Sequence, residues 1–142
     1  MKKANLKKYY KKRTDEYDDK YSDPNAVKDI PIIKELLKES FKDKTVIELS
    51  CGTGFWTPTI SEVASKIYAT DINASVIKIA KKKSYAKDAN GEANISFHRM
   101  NFYKLDKLTE KFTGVFGGFI ISHIPLQKLK KFFDSVFSIC EV

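Results

Sequence analysis

Apolar positions along this chain fall into short runs whose period changes from segment to segment. From Leu6 to Tyr21 the residues Leu6, Tyr9, Tyr10, Arg13, Tyr17 and Tyr21 recur at helical spacing, with Lys, Asp and Glu on the other face. "SDPNA" then breaks the pattern, with Pro24 as the stop. A helix is expected from about Ile30 to Ser40, with Pro31 at its start and Ile32, Ile33, Leu36 and Leu37 on one stripe. "KDK" leads into a buried strand, Thr45 to Leu49. Beyond it, "TPTISEVAS" predicts a helix that tolerates Pro58 in its first turn, and "KIYATDI" a second strand. "NASVIKIAKKKSYAK" predicts a helix, "DANGEAN" a loop, "ISFHRMNF" a third strand and "TGVFGGFII" a fourth. "PLQKLKKFFDSVFSI" reads as a closing amphipathic helix. Alternating strands and helices imply βαβ units, so the expected fold is α/β, with a parallel sheet and helices on both faces.

Composition narrows the picture. A chain of 142 residues with 42% hydrophobic residues is enough for one core. No apolar run approaches the roughly 20 residues that span a bilayer, so no membrane partner is expected. The basic N-terminus lacks an apolar signal core, and the two cysteines, Cys51 and Cys140, form no framework, which suits a reducing cytoplasm. The net charge is +8, but it comes from 24 Lys against 2 Arg, spread along the chain. Nucleic-acid interfaces favour Arg for bidentate contacts, so no nucleic-acid partner is expected. The sharpest cluster, Lys78, Lys81, Lys82, Lys83 and Lys87, falls late in a predicted helix, where cations complement the dipole.

The chemistry concentrates in "VIELSCGTGFW", Val46 to Trp56. A tight strand-to-helix turn at the C-terminal edge of a parallel sheet is a ligand site. Gly52 and Gly54 allow close backbone approach, and the next helix aims its free N–H groups at the same spot. Asp71, 19 positions after Gly52, ends the second strand where a carboxylate can take two ribose hydroxyls, cap the next helix, or do both. A dinucleotide loop reads G-x-G-x-x-G, and its third glycine would fall at Thr57. Its absence argues against a dinucleotide oxidoreductase. Glu48, at the first strand's end, is awkward beside a pyrophosphate and suits a cationic ligand without phosphates. S-adenosylmethionine is such a ligand.

"VIELSCGTGFW" followed by "IYATDINASVI" resembles the first two motifs of class I S-adenosylmethionine-dependent methyltransferases. Their loop pattern is E/D-x-G-x-G-x-G; here Ser50 stands at the first glycine. The resemblance implies a Rossmann-like sheet with order 3-2-1-4. It implies S-adenosylmethionine as cofactor, with Glu48, Ser50, Cys51, Gly52 and Gly54 around its methionine part. Asp71 would hold the ribose and Ile72 flank the adenine. Asn101 and Phe102 correspond to the position near the adenine amino group, and "GGFIISHIP", with Gly118, to the fourth motif. The N-terminal segment resembles a lid-like helix, so residues 1–24 are expected to be a lid carrying Tyr10 and Arg13, and residues 25–142 the cofactor domain. The family's sheet has seven strands, and only four are placed here. The chain is therefore expected to lack strands five to seven, leaving a long apolar edge on the fourth strand that could pair two copies.

Several residues carry two readings. Trp56 either lines the pocket, where an aromatic face favours a sulfonium, or packs in the core. His123 is a candidate general base or a structural residue beside a helix start. Cys51 reads as a small loop residue. The N-terminal tyrosines either touch ligand or dock a helix. No metal site is expected. Methyl transfer to a small molecule is the leading reading; the alternative is a domain that binds cofactor or a protein partner without turnover.

Overall fold

The computed structural model describes residues 18–141; of the N-terminal helix expected from Leu6 to Tyr21, the part with Tyr10, Arg13 and Tyr17 lies outside them, and its last residues fall in a 3₁₀ turn, Asp19–Ser22. Four parallel strands, β1 (Thr45–Glu48), β2 (Lys66–Asp71), β3 (Ile95–Arg99) and β4 (Gly114–Phe116), form one sheet in the order β3-β2-β1-β4. Among the described residues four α-helices accompany them: α1 (Pro24–Phe41), α2 (Thr57–Ser61), α3 (Ala74–Ala80) and α4 (Leu129–Phe137). The expected Rossmann-like order is thus present.

Register explains how the sheet fills both its faces. Val46 pairs with Ile67 and Gly114, and Ile67 with Ile95, so one apolar row crosses the sheet. Side chains alternate along a strand. Val46 and Ile67 accordingly pack with Leu37 and Phe41 of α1, Ile60 of α2 and Ile77 of α3. Ile47, one residue on, packs with Leu105, Phe112, Ile139 and Phe132 of α4. Burial on both faces is why β1 reads as a continuous apolar run.

Among the differences from expectation, four shape the fold around the sheet. Pro24 starts α1. Asp23 accepts the Asn25 N–H at 2.7 Å, and Pro24 occupies the first turn, where its missing N–H is no loss. Pro31 lies inside the helix. Secondly, α2 stops at Ser61. Thirdly, α3 stops at Ala80, whose carbonyl accepts the Tyr85 hydroxyl at 2.6 Å, so Lys81, Lys82 and Lys83 follow the helix. Fourthly, β4 is three residues long. Gly117 and Gly118 leave the sheet, and Phe119 turns the backbone with φ +59°. The long apolar edge expected there is absent.

The outer side of β4 is already engaged at its base. The Phe112 N–H donates to the Ile139 carbonyl at 2.8 Å, and the Glu141 N–H to the Phe112 carbonyl at 2.9 Å. This makes a parallel bridge between Phe112 and Cys140, where the sequence predicted the end of a helix.

The contact between β1 and β4 depends on Gly114. A Cβ there would lie 2.9 Å from the Phe41 ring and 3.3 Å from Val46. Gly114→Val is expected to lower stability by about 1–3 kcal/mol through overpacking, read as a lower urea midpoint at unchanged m-value.

Candidate functional site

The C-terminal ends of β1, β2 and β4 meet at one edge of the sheet. The order reverses between β1 and β4, which makes this edge the topological switch point where α/β sheets bind ligands. The loop after β1 has left-handed backbone at alternate positions: Ser50 φ +53°, Gly52 φ +56° and Gly54 φ +80°. Ser50 thus adopts the conformation for which glycine is favoured. The loop is anchored by backbone hydrogen bonds from Cys51 N–H to the Thr70 carbonyl (2.8 Å) and from Gly54 N–H to the Cys51 carbonyl (3.0 Å).

The Asp71 carboxylate joins two loops. One oxygen accepts the Gly52 N–H at 3.0 Å; the other accepts the Asn73 N–H at 2.8 Å, at the entry to α3. Burial raises its pKa, and the N–H groups of Asn73, Gly52 and Ile72 offset part of that rise. Glu48 is 2% exposed. It accepts the Thr57 hydroxyl at 2.6 Å, where α2 begins. Burial pushes its carboxyl up to about 8; the Thr57 bond opposes the rise and the Asp71 charge adds to it. Burial likewise pushes the Cys51 thiol far up, so Cys51 is a buried loop residue and no thiolate. Among the described residues no ion pair reaches Glu48 or Asp71.

The remaining expected site residues lie at various distances from this centre. Ile72 is 41% exposed beside Asp71. Asn101 is near it through β3, since the Met100 N–H donates to the Asp71 carbonyl; the Asn101 side-chain oxygen accepts the Tyr103 N–H at 3.0 Å. Phe102 instead packs on Phe132 of α4, at 5.2 Å between ring centroids, in the opposite core cluster. Gly54 serves packing: a Cβ there would stand 3.0 Å from Ala80 Cβ and the Tyr85 hydroxyl. Trp56 is buried in the core, and Gly118 lies against it, with room for a Cβ only at 3.2 Å from the indole. His123 is exposed at the end of a 3₁₀ turn, Ile121–His123.

The structure also assembles contacts that no sequence motif marked. Tyr21, from the 3₁₀ turn Asp19–Ser22, stacks on Phe55 with centroids 3.6 Å apart and 8° between planes. Asp18 accepts the Thr53 hydroxyl at 2.5 Å and pairs with Lys83 at 2.9 Å. That strap ties the segment before α1 to the glycine loop and to the end of α3. Thr57 is the partner of Glu48. Their contacts span 9 to 65 residues in sequence, beyond the reach of any local pattern.

A sequence model of a family described as "methyltransferase domain" matches residues 46–141. The chain belongs to this family. Methionine S-methyltransferase from Arabidopsis thaliana is 40% identical over 78 residues, which is 48% of this chain and 7% of that protein. A tRNA/tmRNA (uracil-C(5))-methyltransferase from Campylobacter lari is 36% identical over 100 residues, 66% of this chain and 28% of that protein. The chain therefore spans a small part of these relatives. Among solved structures, a DhpI complex with SAH superposes with a TM-score of 0.79 at 26% identity, covering 95% of this chain and 62% of the other. The N-methyltransferase NodS from Bradyrhizobium japonicum, bound to S-adenosyl-L-homocysteine, gives 0.79 at 13% identity, covering 96% and 68%. That second likeness speaks for the fold alone. In this chain the buried Glu48 and Asp71 mark the strand ends around which the loop is built.

Their burial predicts a pH dependence. Between the ordinary Glu48 value of 4.5 and about 8, the folded chain holds a proton that the unfolded chain has lost. Stability should therefore fall as pH rises through that window, by about 1 kcal/mol per unit from this group, and Asp71 adds the same sign. Urea denaturation from pH 5 to 8 is expected to show that fall, and Glu48→Gln to flatten it.

Proposed function

We propose that the chain binds S-adenosylmethionine at the switch point and directs its methyl group to a small molecule. The observation that carries this is the Asp71 carboxylate, fixed by the Gly52 and Asn73 N–H groups at the C-terminal end of β2. Each oxygen accepts one N–H and keeps capacity for a ribose hydroxyl. Ile72 presents apolar surface beside it, suited to the face of an adenine. Two buried carboxylates without a cationic partner among the described residues suit a ligand with positive charge and no phosphate.

S-adenosylmethionine, when bound, supplies a methyl group on a sulfonium. The residues of the chain position and polarise. Asp71 fixes the ligand's sugar and the loop together. Glu48, protonated at neutral pH in the free site, is drawn toward its ionised form by a nearby cation. Alignment of acceptor and methyl then supplies much of the rate, because the transfer is a direct displacement. The strap from Asp18 to Thr53 and Lys83 holds the segment with Tyr21 over the loop. The solved DhpI structures include complexes with SAH and with SAM and HEP, and their 25–26% identity to this chain supports the same ligand class here.

Calorimetry with S-adenosylmethionine, S-adenosylhomocysteine and NAD tests the reading. The first two are expected to bind and NAD not. Asp71→Ala is expected to weaken S-adenosylhomocysteine at least about tenfold, through lost charge-assisted hydrogen bonds. Binding of NAD alone would overturn the proposal. Cofactor binding with no transfer to any of a broad set of small acceptors would overturn its second half.

A further inference from the structure

The side of α1 that faces away from the sheet carries an apolar pair. Leu37 and Phe41 bury the opposite side in the core, and Ile30 and Ile33 pack partly buried beside them. Ile32 and Leu36 follow one another by a single turn on the outer side and are 62% and 56% exposed. They add nothing to the packing of α1 on its own sheet. Single exposed apolar residues are ordinary, so the charges around this pair carry the argument.

Lys28 stands before the pair and Glu39 after it. Eleven positions separate them, close to three whole turns, so both lie along one line beside Ile32 and Leu36. Both are exposed, and among the described residues neither forms an ion pair. The nearby Glu35 and Lys38 are engaged within the chain: Lys38 lies 3.9 Å from Glu35 and 2.7 Å from Glu62. The apolar pair and the charged pair share one centre, between residues 33 and 34. A sequence of this kind matches itself under a two-fold rotation about that centre.

We infer that the outer face of α1 pairs antiparallel with α1 of a second copy of this chain. Ile32 meets the partner's Leu36, Leu36 meets the partner's Ile32, and each Lys28 meets the partner's Glu39. The contact is isologous, so it closes at two copies. Apolar burial supplies the attraction and the charges set the direction. A parallel alignment would place Lys28 beside the partner's Lys28 and Glu39 beside the partner's Glu39, and like charges there repel. At the β4 edge, where the sequence suggested pairing, Ile139 and Glu141 already bond to Phe112. A single helix pair buries less than the ~1,200 Å² of stable interfaces, so the dimer is weak and depends on concentration.

Sedimentation velocity of the full chain from about 5 to about 300 µM tests this, the range in which a weak contact assembles. The mass is expected to rise from one copy toward two. Leu36→Lys is expected to hold the chain monomeric throughout, with an unchanged melting temperature, because the side chain is exposed. Lys28→Glu and Glu39→Lys are each expected to weaken the dimer about tenfold, since each turns two attractions into two repulsions. Mixed in equal amounts, these two variants regain both opposite-charge pairs and are expected to dimerise together. The double variant with both reversals is expected to dimerise alone. A chain that stays monomeric at the highest concentration would overturn the inference. So would a mixture that stays monomeric, the outcome if residues 1–17 of the same chain cover the pair. A dimer that survives Leu36→Lys and is lost with Phe137→Lys would place the contact on α4 and overturn it as well.

Discussion

The Asp71 carboxylate is the joint on which the site depends. Its two oxygens hold N–H groups from loops that follow different strands, Gly52 after β1 and Asn73 after β2. Neither loop could keep its shape alone. The first turns through three left-handed residues, one of them the non-glycine Ser50. Such a path is maintained only where neighbouring structure specifies it. Parallel pairing of β1 with β2 brings the loops to the same edge. The carboxylate then satisfies backbone donors that would otherwise be buried without partners.

That arrangement has an energetic consequence. Glu48 and Asp71 are both buried at the strand ends, and burial raises both carboxyls. Apolar residues at these places would favour folding of the free chain more. Carboxyl groups buried at such cost are candidates for a functional site, and the two are compensated differently. Backbone N–H groups partly compensate Asp71, whereas among the described residues Glu48 has one hydroxyl partner, Thr57.

Much of this was legible in the sequence, for identifiable reasons. The parallel α/β sheet followed from apolar runs alternating with helical patterns, since strands buried on both faces leave that signature, and its strand order followed from the resemblance to the methyltransferase family. Glu48, Gly52 and Asp71 were legible because strand length and loop length fix their spacing. The misreadings were local. Asp23–Pro24 is a helix start that also resembles a break, and only Asn25 donating to Asp23 decides between them. The run Thr113–Ile121 looked like one strand, but Gly117 and Gly118 end it after Phe116. The helix from Ala74 ends where the Tyr85 hydroxyl caps Ala80, a contact from beyond the helix. The specific contacts of Asp18, Tyr21 and Thr57 were not legible because they arise only when distant segments meet. Phe102 shows the reverse: its position beside a motif suggested the site, and packing against Phe132 took it to the other face.

A crystal structure of the chain with S-adenosylhomocysteine is the most direct test. The ribose hydroxyls are expected within hydrogen-bond distance of the Asp71 carboxylate, with the adenine beside Ile72 and the sulfur at the β1–β4 switch point. A ligand seated elsewhere, with Asp71 still bound only to Gly52 and Asn73, would contradict the role assigned to that carboxylate.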